Sequence, residues 1–206
     1  MVLTGEYAVL RGAPALVMSV NRFATCRCSL SPAKAKKRVG KGANKDQTGW
    51  RFASQGFVAS SQHPLEQLSH PERLANDDPA RLCAYVLQAY QQHPAGTRLD
   101  LPDNLLLELN SAQMYHAGAK LGLGSSAALT VALLGVVHQL AQGALGSGQK
   151  PAQGPILNAE IDAQLGFEIA QSAHRASQGG VGSGLDIATS LNGGVIRFQD
   201  LSLIHI

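Results

Sequence analysis

Two short stretches carry the residue types of phosphate chemistry. The first is Lys120-Leu121-Gly122-Leu123-Gly124-Ser125-Ser126-Ala127-Ala128. Glycines at 122 and 124 leave no Cβ to hold an anion away from the backbone N–H groups. Ser125 and Ser126 add hydroxyls that can cap a helix, bind a phosphate oxygen or reach a Mg²⁺ ion. The second stretch runs over residues 173–188, with four glycines among the six residues from Gly179 to Gly184. Such a backbone can approach a ligand closely, and one carboxylate, Asp186, stands at its far end.

Each stretch also has a plainer reading: a buried helix with a glycine-rich start and no ligand, and a helix-cap aspartate. Two nucleotide motifs are excluded on spacing. Gly122-x-Gly124-x-x-Ala127 fits the dinucleotide template, but no Asp or Glu follows before Glu160, where a ribose-binding acid is needed about 20 residues on. A Walker A loop fails because no Gly-Lys-Ser/Thr follows a glycine at the required distance.

The elements around these stretches are those that would aim them. Leu105, Leu106, Leu107 and Leu109 read as a strand, a ten-residue loop follows, and residues 127–140 form a helix apolar almost all round. A helix without a polar face belongs inside a domain, while its first turn keeps free N–H groups and the positive end of the dipole. Residues 2–4 read as the end of a strand, 15–30 as one long strand that places Cys26 and Cys28 on one face, and 50–53 as a returning strand. Residues 54–77 look irregular, broken by Pro64 and Pro71. Asp78-Pro79 is a helix start, with Leu82, Cys83, Val86, Ala89 and Tyr90 on its apolar face and a stop at 93–96. A helix is expected from 156 to about 175, with a stripe of Leu157, Ile161, Leu165 and Ile169. A short helix should follow Asp186, and a strand should cover 195–198. Alternating strands and helices argue for one mixed α/β layer domain.

The chain has 206 residues, 45% hydrophobic and 15% charged, as expected of a soluble globular domain. No apolar run approaches the length of a membrane span, and no signal peptide is visible. Three cysteines without a CxxC spacing suggest reduced thiols in a cytoplasmic protein. Seven histidines lack ligand spacing, which argues against a structural metal. The net charge of +3 is local: Lys34, Lys36, Lys37, Arg38, Lys41 and Lys45 lie close together. Glycines and small polar residues around them fit a solvated loop better than a nucleic-acid or membrane surface, and no aromatic residues interleave to stack bases.

Three blocks together resemble the GHMP kinases: LTGEYAVLRGAPAL at 3–16, KLGLGSSAAL at 120–129 and AHRASQGGVGSGLDIA at 173–188. The resemblance spans nearly the whole chain, and the third block is most similar to phosphomevalonate kinases within that family. It implies a mixed α+β fold, the N-terminal ATP-binding domain of the family, with a mixed sheet packed with helices. It also implies phosphoryl transfer from ATP with Mg²⁺ to a small molecule, 5-phosphomevalonate, giving 5-diphosphomevalonate in isoprenoid synthesis. Mevalonate, another small alcohol, or nucleotide binding without catalysis are the alternatives. By the resemblance, Lys120, Gly122, Leu123, Gly124, Ser125, Ser126 and Ala127 hold the nucleotide phosphates, with Ser126 near Mg²⁺. Asp186 orients the acceptor or takes its proton, and Glu6, Tyr7, His174, Gly182, Ser183 and Gly184 lie near the acceptor. Lys120 and His174 flank the two loops and suit a phosphorylated substrate. Tyr7 stands where mevalonate kinases usually have His. Mevalonate kinases also place a Mg²⁺-binding carboxylate in the turn before His174, and here the nearest is Glu168.

The family's lysine-bearing first segment and its second, ferredoxin-like domain are not in this sequence, so residues 1–200 are expected to be a truncated N-terminal domain. Residues 201–206 do not fit the family. They are what CTG TCT CTT ATA CAC ATC encodes, the end of a sequencing-library adapter, and are expected to be a non-native tail. The chain as given is expected to fold poorly or associate, and to be inactive alone.

Overall fold

A computed structural model describes residues 1–5, 7–30, 49–55, 60–95, 99–143 and 161–199. Glu6, the basic stretch 34–45, the first residues of the helix expected from 156, and the tail 201–206 lie outside the described residues.

Two sheets form the β layers. Strands β1 (Val2–Thr4), β2 (Ala15–Met18) and β9 (Val195–Phe198) make one, antiparallel throughout in the order β1-β2-β9. The second contains β3 (Thr25–Leu30), β4 (Trp50–Gln55), β5 (Ser60–His63) and β6 (Leu105–Asn110) in the order β3-β6-β4-β5. It is mixed: β4 runs parallel to β6, with Phe52 opposite Leu107, and the other pairs are antiparallel. Along β6 the pleat buries Leu105, Leu107 and Leu109 and exposes Glu108, the period-two alternation of a sheet with one covered face. A two-residue hairpin, β7 (Tyr115–His116) and β8 (Ala119–Lys120), leads into the first glycine stretch.

The helices are α1 (Leu65–Leu68), α2 (Pro79–Gln92), α3 (Ser125–Ala141), α4 (Ala163–Ser177) and α5 (Leu185–Asn192). The apolar circumference of α3 is explained by its neighbours, because α2, α4, α5 and β3 all pack on it. Leu133, Leu134 and Val137 on α3 are fully buried, as are Trp50, Phe52, Leu105 and Leu107 on the second sheet. Two polar groups inside are paired: Trp50 Nε1 donates to Pro102 O at 2.8 Å, and Tyr90 Oη lies 3.0 Å from His138 Nδ1.

Three expectations are corrected. Residues 15–30 form two strands in different sheets, not one. The break lies at 19–24, where Ser19 N–H bonds to Gly194 O and Phe23 N–H to Gln113 Oε1. The irregular stretch 54–77 contains β5, α1 and a 3₁₀ turn at Pro71–Arg73. The helix expected from 156 starts at Ala163, because Asp162 caps it and accepts from Leu165 N–H at 3.0 Å. Ile161 is buried just ahead of the helix rather than on its stripe. Cys26, Cys28 and Cys83 are free thiols. Burial raises all three pKa values, Cys28 to about 11, so they stay protonated and unreactive. Among the described residues no helix is long and apolar enough to cross a membrane.

Candidate active site

The two glycine stretches meet. Each ends in a left-handed glycine on which a helix begins, Gly124 (φ 74°, ψ 39°) for α3 and Gly184 (φ 81°, ψ 0°) for α5. An L-residue pays for that conformation, a glycine does not. Close approach adds to the requirement at Gly124. A Cβ there would lie 3.2 Å from Asp186 Cγ and 3.3 Å from Oδ2. The Asp186 carboxylate thus occupies the space beside the first turn of α3.

No side chain caps α3, so the N–H groups of its first turn face outward with the positive end of the dipole. Ser125 and Ala127 are buried, Ser126 is half-buried, and Gly122 is exposed with open space at its missing Cβ. The Ser125 and Ala127 side chains therefore pack inward, and what that turn offers a ligand is the backbone of 122–127 and the Ser126 hydroxyl. Leu123 is half-buried and Lys120 is exposed at the end of β8. Leu121 N–H, bonded to Met114 O at 2.9 Å, pins the hairpin just ahead of the glycines.

His174, on the last turns of α4, crosses to this turn: its Nε2 lies 3.0 Å from Ser126 Oγ. Burial pushes the imidazole below its ordinary range, the Asp186 charge pulls it back up, and Lys120 pushes it down. The ring is therefore neutral near pH 7. In one tautomer Nε2 accepts the Ser126 hydroxyl proton, and in the other it donates to Oγ. Lys120, Gly124, Ser126, His174 and Asp186 thus form one constellation, drawn from β8, α3, α4 and α5.

Asp186 is exposed, in the first turn of α5 but not at its cap. The helix-cap reading fails because Gly184 holds the cap position and Ser183 Oγ accepts from Leu185 N–H at 3.4 Å. Gly182 is exposed with nothing near its missing Cβ. Tyr7 is exposed, and among the described residues no hydrogen bond or ion pair ties it to the constellation. Glu168 points elsewhere, to His93 Nε2 at 3.0 Å and to Gln164, which hold its carboxyl below the usual range. One contributor escaped the sequence reading: Gln171, one turn before His174, whose amide covers Gly184. Its only signal was a polar residue three positions before His174 on the same helix.

Lys120, Gly122, Gly182 and Asp186 are all exposed. A cavity of about 500 Å³ lies on other elements, beside His63, His70, Arg73 and Asp78 at the start of α2. Among the described residues no three His, Cys, Asp or Glu side chains could cage a metal ion. Mg²⁺ does not require such a cage: it takes one or two protein oxygens and completes its shell with water and substrate phosphates. The Ser126 hydroxyl and the Asp186 carboxylate fit that demand.

No family model matches the sequence, and no curated protein matches it. Solved structures do. Phosphomevalonate kinase of Streptococcus pneumoniae, in complex with phosphomevalonate and AMPPNP, superposes at a TM-score of 0.62 with 19% identity, over 97% of this chain and 47% of that one. A mevalonate kinase superposes at 0.58 with 16% identity, over 97% and 51% of the two chains. The mevalonate kinase of Methanococcus jannaschii gives 0.58 with 14% identity, over 97% and 50%. The chain spans about half the length of these structures. Its antiparallel and mixed sheets, its buried α3 and the helices around it make up a fold shared with phosphomevalonate and mevalonate kinases, both GHMP kinases.

Proposed function

We propose that this chain carries the nucleotide-phosphate and acceptor site of an ATP-dependent small-molecule kinase whose acceptor is 5-phosphomevalonate. The observation that carries the reading is the contact between the two stretches. The Asp186 carboxylate lies 3.2–3.3 Å from the missing Cβ of Gly124, where an uncapped helix start offers N–H groups to an anion.

Phosphoryl transfer asks for alignment and for neutralisation of spreading negative charge, more than for covalent chemistry. In this reading the N–H groups of 122–127 and the Ser126 hydroxyl hold the nucleotide phosphates. His174 fixes the direction of that hydroxyl. Bound Mg²⁺ would supply charge neutralisation there, with Ser126 Oγ and Asp186 as its protein oxygens. Asp186 also orients the acceptor on the other side of the transferred group. An acceptor phosphate, with its second pKa near 6, is already largely ionised and needs little help from a base. Lys120 and the dipole of α5 then offset its charge. Gly182 leaves the backbone open to it, while Ser183, Gly184, Glu6 and Tyr7 belong to the same side by resemblance only. Mevalonate is the second reading, favoured by the two mevalonate kinases of similar fold.

The test is direct. With MgATP, production of ADP is measured on 5-phosphomevalonate, mevalonate, homoserine and galactose, alongside MgATP binding by calorimetry. Preference for 5-phosphomevalonate is expected in a form extended to the length of the solved kinases. Preference for mevalonate moves the assignment to the second reading. Binding without transfer to any acceptor leaves a nucleotide-binding domain, and no binding removes the phosphate site altogether.

A further inference from the structure

Gln171 lies one turn before His174 on α4, so the two side chains share a face. Its Nε2 stands 3.4 Å from the Ser183 carbonyl oxygen. Its Nε2, Cδ and Cγ lie 2.6, 2.9 and 3.2 Å from the position of a Cβ on Gly184. The amide fills the space that any side chain at 184 would take. Gly184 is the residue on which α5 begins, and Asp186 follows two positions later.

The rest of that loop has few other ties. Its start is held by Arg175, whose O accepts from Gly180 N–H at 2.7 Å and whose guanidinium donates to Gly180 O at 3.4 Å. Gly179, Gly180 and Gly182 meet nothing where a Cβ would be. The last turn, before Asp186, is held by the Ser183 hydroxyl and by Gln171. One helix face therefore touches both sides of the site, His174 reaching Ser126 and Gln171 reaching Ser183 and Gly184.

We propose that Gln171 is a positioning residue: it holds the first turn of α5, and through it the Asp186 carboxylate, in place against Gly124. The proposal rests on the reading of Asp186 as the acceptor-side carboxylate. In this reading Gln171 acts through Ser183 and Gly184 rather than on the nucleotide or the acceptor. With His174 it makes α4 the spacer that sets the separation of the two loops.

The experiment compares the full chain with Gln171→Ala and Gln171→Met, the second filling the space without a donor. Amide hydrogen exchange is followed in the full chain without nucleotide, and steady-state kinetics with MgATP and 5-phosphomevalonate in a form extended to the length of the solved kinases. Gln171→Ala should raise exchange at 184–188 about tenfold, the scale of one lost hydrogen bond and its packing, while the amides of α3 are unchanged. Gln171→Met should fall between it and the parent. In turnover kcat should drop about tenfold with the nucleotide KM within about twofold, a split that general loss of fold does not produce. Unchanged exchange at 184–188, a rise spread equally over α3 and α5, or an unchanged kcat in a turning-over protein overturns the proposal. A parent that, in a form extended to the length of the solved kinases, does not bind MgATP or transfer phosphate refutes the kinase reading instead, and the exchange data still decide whether Gln171 holds the turn.

Discussion

At the start of α2, Asp78 Oδ1 accepts from Ala80 N–H at 2.8 Å and from Ser61 Oγ at 2.7 Å, while Oδ2 lies 2.7 Å from His63 Nε2. Pro79 follows at the first helical position, where no N–H is needed. At the start of α3 there is a left-handed glycine, no side-chain cap, and a carboxylate from another helix standing alongside. The other pair repeats the division, with Asp162 capping α4 and Gly184 opening α5. The aspartate starts satisfy their own N–H groups and stabilise the fold by about 1 kcal/mol each. The glycine starts forgo that stabilisation, and they are the two that converge. A helix end left unclosed by its own sequence is available to an anion.

The largest expected effect tests whether the converging starts do chemistry. Asp186→Asn keeps the shape and removes the charge. If Asp186 acts on the acceptor, kcat should fall by about 10²–10⁴-fold while the melting temperature stays within a few degrees. An unchanged rate beside a lowered melting temperature would return Asp186 to a structural role and dissolve the distinction between the two kinds of start.

Next in size is Gly124→Ala. It forces a Cβ to within 3.2–3.4 Å of Asp186 and imposes left-handed strain of about 1 kcal/mol. Valine at this position would add β-branched strain, so alanine is the cleaner probe. Stability should drop by about that amount, and turnover by about tenfold as the carboxylate is displaced. Gly122→Ala sharpens the comparison, since its Cβ would meet nothing in the protein. It should cost about the same stability, while any loss of MgATP affinity would come from crowding the phosphate. Equal turnover losses in the two variants, with no change in MgATP affinity, would mean that the Asp186 contact carries no weight.

How much of this was legible depended on how far apart the partners lie along the chain. Asp78-Pro79 announced its helix because cap and first turn are adjacent, and the β6 leucines announced a strand by alternation. Both glycine stretches stood out by composition. What sequence could not show was where their ends meet. The Gly124–Asp186 contact, the Ser126–His174 bond and the cover of Gly184 by Gln171 are tertiary. The break between β2 and β3 was hidden for the same reason. The chain turns at 19–24 because Gly194 O and Gln113 Oε1 take its N–H groups, and no local pattern encodes partners so distant. Asp162, by contrast, was a readable cap that the apolar stripe from 157 overshadowed.

Removing a closed start should behave differently from altering an open one. Asp78→Ala should lower stability by about 1–2 kcal/mol, since the carboxylate serves a helix cap, the Ser61 hydroxyl and His63 together. MgATP affinity measured well below the melting temperature should be unchanged. A specific loss of nucleotide affinity in a folded Asp78→Ala protein would mean that both kinds of start serve the site.

The smallest effect is the pH dependence of that same cap. Burial works against the Asp78 charge, but hydrogen bonds from Ser61 and the Ala80 N–H, with His63 alongside, outweigh it and hold the carboxyl below its ordinary value of 3.8. The folded state thus binds this proton less readily than the unfolded chain. The stabilisation is complete above the unfolded value and is lost as pH falls through the lower, folded one. The melting-temperature gap between the parent and Asp78→Ala should therefore narrow as pH falls below about pH 4. Glu168, also held low but on another surface, titrates equally in both proteins and cancels from the difference. A gap that stays constant into acid would show that Asp78 acts at α2 through shape and not charge. A cap that works by charge must weaken in acid, whereas the glycine starts of α3 and α5, with no cap carboxylate of their own to protonate, have no such dependence built into their caps.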